Sequence, residues 1–351
     1  MDKNELLKQI KGGECISAVS LAGLDLSGTD LSGAVFEGVS LRGAALSGVR
    51  LKESIFVRCD LTGADLTGAH MHHTVMEKSD LSEAKLRGAF MAASKLFECE
   101  LRGADLAEAN LTMATLVDAG LSGASIARGN LDRASVLQPK SLSGLDLSGA
   151  ILKQTVLVKV DLTGVTLAGA IIQNAVLMQN KLAGMSLRGM SFTLTQFTEA
   201  DLSDCDMTGA TLTQCNFKSA NLARAKLDQT TAMNGLFASA ALTQASFRGA
   251  NLFQSIFIEA DLTLADLSRT NMQQCVLTKA ICSGARFAGA DLTYCDFSHA
   301  NVSAADFSGA TLTRTKLHRV LDKDTLWGNR SAALGDDKDQ AEAEDFRRAH
   351  S

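Results

Sequence analysis

Large apolar residues recur at every fifth position over most of the chain. From Leu26 to Val136 each fifth residue is large and apolar, and the spacing resumes at Leu142 and runs to Leu317 with two small exceptions. The residue two before these centres is usually small, the one directly before it is often Asp, Asn or Ser, and the one two after it is often Gly. A five-residue period fits neither an amphipathic α-helix nor an alternating β-strand. The pattern therefore indicates many copies of one small unit.

This unit resembles the repeat of the pentapeptide-repeat family, which reads roughly A(D/N)LxG, and the resemblance covers about residues 16–320. It implies an all-β fold, a right-handed quadrilateral parallel β-helix with about 20 residues in each coil. In such a solenoid each centre points inward and stacks on the residue 20 positions away, at the ~4.8 Å spacing of paired strands. Stacked coils satisfy each other's backbone groups and bury a continuous apolar column.

Two series of phenylalanines have the spacing that this stacking requires. One series is Phe197, Phe217, Phe237, Phe257 and Phe297, and the other is Phe247, Phe287 and Phe307. We interpret both series as stacked core residues rather than as an aromatic ligand site, because aromatic rings supply large buried areas to a core.

The register slips by one residue around the only proline, Pro139. Either two β-helices are joined there or one solenoid contains a one-residue bulge, and we favour one solenoid with a local kink because one residue is too short for a linker. The sequence then predicts an N-terminal cap over residues 1–15 and a first repeat segment over 16–137. A second segment over 138–320 is stacked on the first, and a C-terminal cap with a polar tail covers 321–351.

Both ends of a solenoid need caps. The stretch NELLKQIK, residues 4–11, predicts a short amphipathic helix at the front. After the last repeat, Trp327 is expected to fold back on the final coil, and the polar remainder is expected to be frayed.

Charge and targeting signals narrow the classes of function. The net charge of −5 and the pI near 5.7 are too mild to indicate a nucleic-acid partner or an acidic membrane surface. The first residues lack the apolar core of a signal peptide, and no run approaches the ~18 apolar residues of a membrane helix. We therefore expect a cytoplasmic protein without membrane insertion.

The cysteines and histidines do not form a recognisable reactive site. Six of the eight cysteines occupy the small inward position two before a centre, and these are Cys59, Cys99, Cys205, Cys215, Cys275 and Cys295. No CxxC pair occurs, and His70, His72 and His73 flank the inward Met71 and so point outward around one corner. No nucleophile–His–carboxylate set or phosphate-binding glycine loop is present. We expect a protein that is not an enzyme and has no cofactor and no metal.

One outward column of the predicted solenoid is rich in apolar residues, while other columns carry Asp. We predict a protein-binding surface there, formed by Val156, Val158, Val176, Met178, Leu236, Ile256, Ile258 and Val276. The alternative is that β-branched residues simply suit flat strands.

Three functions remain for such a scaffold. Some pentapeptide-repeat proteins mimic DNA and inhibit or protect type II topoisomerases such as gyrase, which implies a strongly negative surface. Here residues 1–138 hold 14 Lys and Arg against 18 Asp and Glu, and residues 139–322 hold 15 against 14. This balance disfavours DNA mimicry. Another possible function is a secreted effector that uses the solenoid as a scaffold, but the sequence shows no N-terminal secretion signal for it.

The start of the chain favours another function. ELLKQIKGGE followed by SLAGLDLSGTDLSGA resembles the opening of repeat regions in accessory proteins of bacterial type VI secretion. This resemblance implies an adaptor that loads effectors onto the secretion spike. We expect a non-enzymatic scaffold whose partners are proteins, such as spike or effector proteins, with a homodimer as an alternative.

Overall fold

The computed structural model describes residues 1–349 and forms two compact units, Met1–Val176 and Leu177–Ser351. Each unit is a parallel β-solenoid of stacked coils, as the five-residue period predicts. The predicted tail extends to residue 351, and its last two residues lie outside the described part of the chain.

The first unit opens with a capped helix, α1 (Lys3–Lys11). The carboxylate of Asp2 accepts a hydrogen bond from the Glu5 N–H at 2.9 Å and satisfies one of the free donors of the first turn. Leu6 is fully buried and anchors the helix. The predicted amphipathic helix is confirmed and begins one residue earlier than expected.

Ten short strands follow α1 in the first unit. They are β1 (Ile16–Ser17), β2 (Val35–Glu37), β3 (Ile55–Val57), β4 (Val75–Glu77), β5 (Lys95–Phe97), β6 (Thr115–Val117), β7 (Ser135–Leu137), β8 (Ile151–Lys153), β9 (Val156–Val158) and β10 (Ile171–Gln173). Eight of them form one parallel sheet in the order β1-β2-β3-β4-β5-β6-β7-β9, and β8 pairs with β10. Further single bridges recur every five residues, for example Ser40↔Asp60 and Ala45↔Asp65. Four rungs in each 20-residue coil make the coil four-sided.

Strand pairing continues through the register slip. Pairs in this unit that do not span Pro139 are 20 residues apart, as in Ile151↔Ile171. Pairs that span it are 21 residues apart, as in Ser135↔Val156 and Gly120↔Ser141. One coil therefore contains the extra residue, next to Pro139. The predicted segment boundary at residues 137 and 138 lies inside the first unit.

The second unit repeats the same coil and ends in a cap. Its parallel bridges run from Lys181↔Asp201 onward, and β11 (Asp306–Phe307) pairs in parallel with β12 (Leu326–Trp327). The Trp327 ring stacks on the Phe307 ring with centroids 4.6 Å apart, so the predicted fold-back is confirmed.

The expectation of a frayed remainder is wrong for residues 338–349, which form helix α2 (Lys338–Ala349). Carboxylates of α2 form ion pairs with basic side chains of the final coils and hold the helix there. Arg319 Nη2, for instance, lies 2.7 Å from Asp345 Oδ1.

The core consists of ladders of identical or similar side chains. Phe197, Phe217, Phe237 and Phe257 are fully buried, and their successive ring centroids are 5.1, 4.9 and 4.7 Å apart. These distances match the spacing of the coils, so the rings stack with the backbone. The small inward position is buried as well, and all six cysteines predicted there are buried.

The aspartates that precede the centres form the turns. The Asp25 carboxylate, for example, accepts a hydrogen bond from the Ser27 N–H at 2.9 Å, and the same contact recurs at many repeats. Asp favours this geometry because its side chain imitates a backbone carbonyl. Two residues after each centre the backbone has positive φ, as at Gly28 (φ 64°), and non-glycine residues such as Glu53 (φ 61°) also occupy that position. Glycine is favoured there because it lacks a Cβ.

Candidate functional site

Four of the predicted binding residues lie together on one side of the second unit. Leu236, Ile256 and Val276 are joined by parallel bridges on three successive coils, and each side chain is half-buried. Ile258 follows the buried Phe257 on the same side and is 37% exposed. We call Leu236, Ile256, Ile258 and Val276 the apolar patch.

Polar residues border the apolar patch at both ends of its rungs. On the preceding turns, Gln254 Nε2 donates a hydrogen bond to Gln274 Oε1 at 2.9 Å. On the following turns, Lys279 Nζ lies 3.5 Å from Glu259 Oε1. An apolar centre with a polar rim is the usual composition of a protein–protein contact.

The other predicted residues do not belong to the apolar patch. Met178 is half-buried and precedes the apolar patch by more than two coils. The rungs that come before Leu236 in its own column are Gln196 and Asn216, whose side chains are hydrogen-bonded at 3.0 Å. Two polar rungs thus interrupt the predicted stripe within the second unit.

In the first unit the predicted residues form a smaller group. Val156 and Val158 lie in β9, and Val156 pairs with Val176. All three side chains are half-buried, so their outward orientation agrees with the predicted register.

The register slip creates a cleft in the first unit that the sequence did not predict. It has a volume of about 340 Å³ and is lined by residues that include Pro139, Lys140, Ser143 and Thr163. Pro139 is half-buried and Lys140 is exposed, so neither fills the small inward position of that coil. The cleft therefore follows from the extra residue.

The histidine triplet behaves as the sequence predicts. Met71 is buried, whereas His70 and His73 are exposed and His72 is half-buried. The His70 ring stacks on the ring of Phe90, which is 41% exposed, with centroids 4.8 Å apart. Burial, together with His70 and His73, lowers the pKa of His72.

The surroundings of the buried cysteines make their thiols unreactive. Burial raises the pKa of Cys99 and Cys205 to about 11 and that of Cys215 to about 12. Each Sγ contacts a backbone carbonyl, for example Cys215 with Phe192 O at 2.8 Å. Because the thiolate is the nucleophile, these groups are structural.

A cluster that the sequence did not reveal lies at the end of the second unit. His299 Nε2 is 3.1 Å from Glu344 Oε1, and His318 Nε2 is 3.5 Å and Arg319 Nε 3.3 Å from Glu344 Oε2. Gln340 Nε2 also donates to Glu344 Oε1 at 2.9 Å. We call this arrangement around Glu344 the carboxylate clasp. The hydrogen bond from Gln340, followed by that from His299, lowers the pKa of Glu344 to about 2.

The ligand atoms of His299, His318 and Glu344 lie within 4.8 Å of one another, a spacing that three zinc ligands can have. The proton positions disfavour a metal. The Asp337 N–H donates to His318 Nδ1 at 3.1 Å, so the proton of the neutral ring sits on Nε2, the nitrogen that would have to bind the ion. The Arg319 guanidinium already supplies a cation to Glu344. His299, His318 and Arg319 are thus better suited to bind a carboxylate than to bind a metal ion.

Within the described residues, no helix combines the length and apolar character needed to cross a membrane.

The chain belongs to the pentapeptide-repeat family. The sequence profile of this family, described as pentapeptide repeats, matches residues 15–56, 54–91, 95–135, 141–179, 181–214, 195–231, 236–269, 270–309 and 280–319. The protein is thus a pentapeptide-repeat scaffold of stacked coils. Comparison with curated protein sequences gives no match.

Solved pentapeptide-repeat structures are similar to parts of the chain. HetL, a protein involved in heterocyst differentiation regulation from the cyanobacterium Nostoc sp. strain PCC 7120, is 22% identical, and the match covers 81% of this chain and 96% of HetL with a TM-score of 0.32. QnrB1, a plasmid-mediated fluoroquinolone resistance protein, is 18% identical over 52% of this chain and 92% of QnrB1, with a TM-score of 0.29. Rfr23 from the cyanobacterium Cyanothece 51142 is 19% identical over 40% of this chain and 97% of Rfr23, with a TM-score of 0.22.

Proposed function

We propose that the protein is a non-enzymatic scaffold whose apolar patch binds another protein. The observation that carries this proposal is the alignment of Leu236, Ile256 and Val276 on successive coils, with Ile258 exposed beside them. Parallel bridges between successive coils hold the backbone of Leu236, Ile256 and Val276 in place, so little conformational entropy is lost when a partner covers their side chains. Burial of the patch would contribute roughly 25 cal/mol per Å² of apolar surface removed from water.

Within this class we propose an adaptor of bacterial type VI secretion that binds a spike or effector protein in the cytoplasm. The support is the resemblance of the opening residues ELLKQIKGGE and SLAGLDLSGTDLSGA to repeat regions of such accessory proteins. Binding of a second copy of the chain through the same patch is the competing outcome.

The test replaces Ile256 and Ile258 by Lys. Both side chains point outward, so the variant I256K/I258K is expected to melt within a few degrees of the wild type, since Lys is tolerated on exposed strands. It is expected to lose at least tenfold in affinity for purified spike or effector proteins of the same genome, measured by calorimetry. Light scattering on the isolated chain reports self-association.

A matched control carries the same charges elsewhere on that side. Gln196 and Thr198 flank the inward Phe197 as Ile256 and Ile258 flank Phe257, and Q196K/T198K changes polar residues only. The control is expected to bind as the wild type does. If I256K/I258K is folded and retains full affinity for every partner, the apolar column reflects strand preference alone and the proposal is wrong.

A further inference from the structure

Helix α2 is attached to the second unit through polar contacts. None of its side chains described, residues 338–346, is buried, so α2 contributes no apolar side chain to the core. Helices in proteins usually owe their stability to a packed apolar face. The attachment of α2 therefore depends on charge and hydrogen bonding.

The solenoid side of this contact is basic and the helix side is acidic. Arg319 holds α2 at three points, since Nη2 donates to Ala341 O at 2.9 Å and lies 2.7 Å from Asp345 Oδ1, and Nε lies 3.3 Å from Glu344 Oε2. The Arg319 N–H also donates to Asp336 Oδ1 at 2.7 Å. Charge complementarity of this kind selects a partner by its carboxylates.

Two buried atoms of the contact lack a hydrogen bond, although one of them is ion-paired. His318 is only 3% exposed, and its Nε2 faces Glu344 Oε2 at 3.5 Å without forming a hydrogen bond. Glu344 Oε2 is held instead by its ion pair with Arg319. Buried polar atoms without good hydrogen bonds are costly. The fit of α2 is thus incomplete. Beside it lies a cavity of about 250 Å³ whose lining includes His299, Lys316 and His318.

We propose that the edge formed by His299, His318 and Arg319 is a receptor site for an acidic helix of a partner protein, and that α2 is its internal occupant. The partner helix supplies a Glu to the two imidazoles and an adjacent Asp to the guanidinium, as Glu344 and Asp345 do. It competes with α2 and replaces an imperfect fit. This site is separate from the apolar patch and does not depend on it.

The experiment uses the full chain and a fluorescent peptide of residues 336–349, DDKDQAEAEDFRRA. In the variant E344K/D345K, two cations face the basic edge, so α2 is expected to detach and its amides to exchange faster with deuterium while the coils stay protected. Because a tethered helix competes at high effective concentration, this released chain is expected to bind the peptide at least tenfold more tightly than the wild type, by fluorescence anisotropy. A peptide with the same two substitutions is the control and is expected not to bind.

A second variant tests the receptor itself. R319Q in the released chain is expected to lose at least tenfold in peptide affinity, and R319Q alone is expected to speed exchange in α2. The proposal is overturned if the released chain binds the peptide no better than the wild type, or if α2 stays protected in E344K/D345K. Binding that requires added Zn²⁺ and disappears with EDTA would also overturn it, in favour of a metal site.

Discussion

At the scale of single residues, position within the five-residue unit determines the environment of a side chain. Phe237 and its neighbour Ser239 show this, because the ring is fully buried between Phe217 and Phe257 whereas Ser239, two residues later, is exposed. The sequence predicts this difference from spacing alone. The position of a residue within the repeat therefore indicates whether a substitution changes a buried or an exposed side chain.

Replacing Phe237 by Asp is expected to unfold the neighbouring coils. The change buries a carboxylate within a stack of rings and costs about 4 kcal/mol or more. S239D is the matched control, since it adds the same charge on an exposed turn with φ 55°, which Asp tolerates. Thermal melting by circular dichroism separates the two, and equal melting temperatures would show that the inward assignment is wrong.

The turn aspartates predict loss of stability in acid. Hydrogen bonds from Thr208, reinforced by Arg188, lower the pKa of Asp206 from 3.8 to about 2. A carboxyl whose pKa is lower in the folded state stabilises the fold above its unfolded pKa, and that contribution disappears as pH falls from 3.8 to about 2. The melting temperature is therefore expected to drop steeply between pH 4 and pH 2.

The variant D206N isolates this effect. Asn accepts the same turn hydrogen bond, as Asn216 does from the Lys218 N–H at 3.0 Å, but it does not titrate. D206N is expected to be folded and to show a shallower loss of melting temperature below pH 4 than the wild type. Parallel curves for the two proteins would assign the acid sensitivity to other groups.

At the scale of elements, the sequence predicts the features that depend on the five-residue repeat or on a short local pattern. It predicts α1, the coil length and the fold-back of Trp327 on the final coil, because each depends on local pattern or on the period of the coils. It does not predict α2 or the carboxylate clasp. Glu344 lies outside the repeat register, 45 residues from His299, and no periodicity connects them.

The coil with the extra residue is expected to be a weak point of the first unit. Replacing the pair Pro139–Lys140 by a single Ala restores the 20-residue period and places a small side chain in the inward position left open by the slip. Closing part of the 340 Å³ cleft is expected to stabilise the unit by about 1 kcal/mol. Chemical denaturation measures the change.

The matched control inserts one Ala after Asp118, at a regular turn with φ 51°. This insertion creates a second slip and is expected to destabilise the unit. If shortening the chain at Pro139 also destabilises it, the extra residue has a role of its own in that coil.

At the scale of the whole molecule, charge separates the candidate functions more clearly than fold does. A protein that imitates DNA needs negative charge dense enough to replace phosphates, which follow one another at about 1.7 Å along the duplex. Residues 1–322 carry 29 basic and 32 acidic side chains. Several acids are moreover neutralised by cations, as Asp204 is by Arg224 at 2.6 Å and Asp206 by Arg188 at 2.8 Å.

The last prediction concerns DNA gyrase. Because the basic and acidic side chains nearly cancel, the protein is expected neither to inhibit gyrase supercoiling nor to relieve inhibition by ciprofloxacin, even at micromolar excess. A supercoiling assay on relaxed plasmid measures both effects, and a known pentapeptide-repeat inhibitor of gyrase provides the positive control. The assay is run at low and at moderate salt, since contacts that replace phosphates weaken as salt rises. Clear inhibition at low salt that fades with added salt would favour DNA mimicry over the secretion adaptor. It would also identify the columns of outward Asp residues, rather than the apolar patch, as the binding surface.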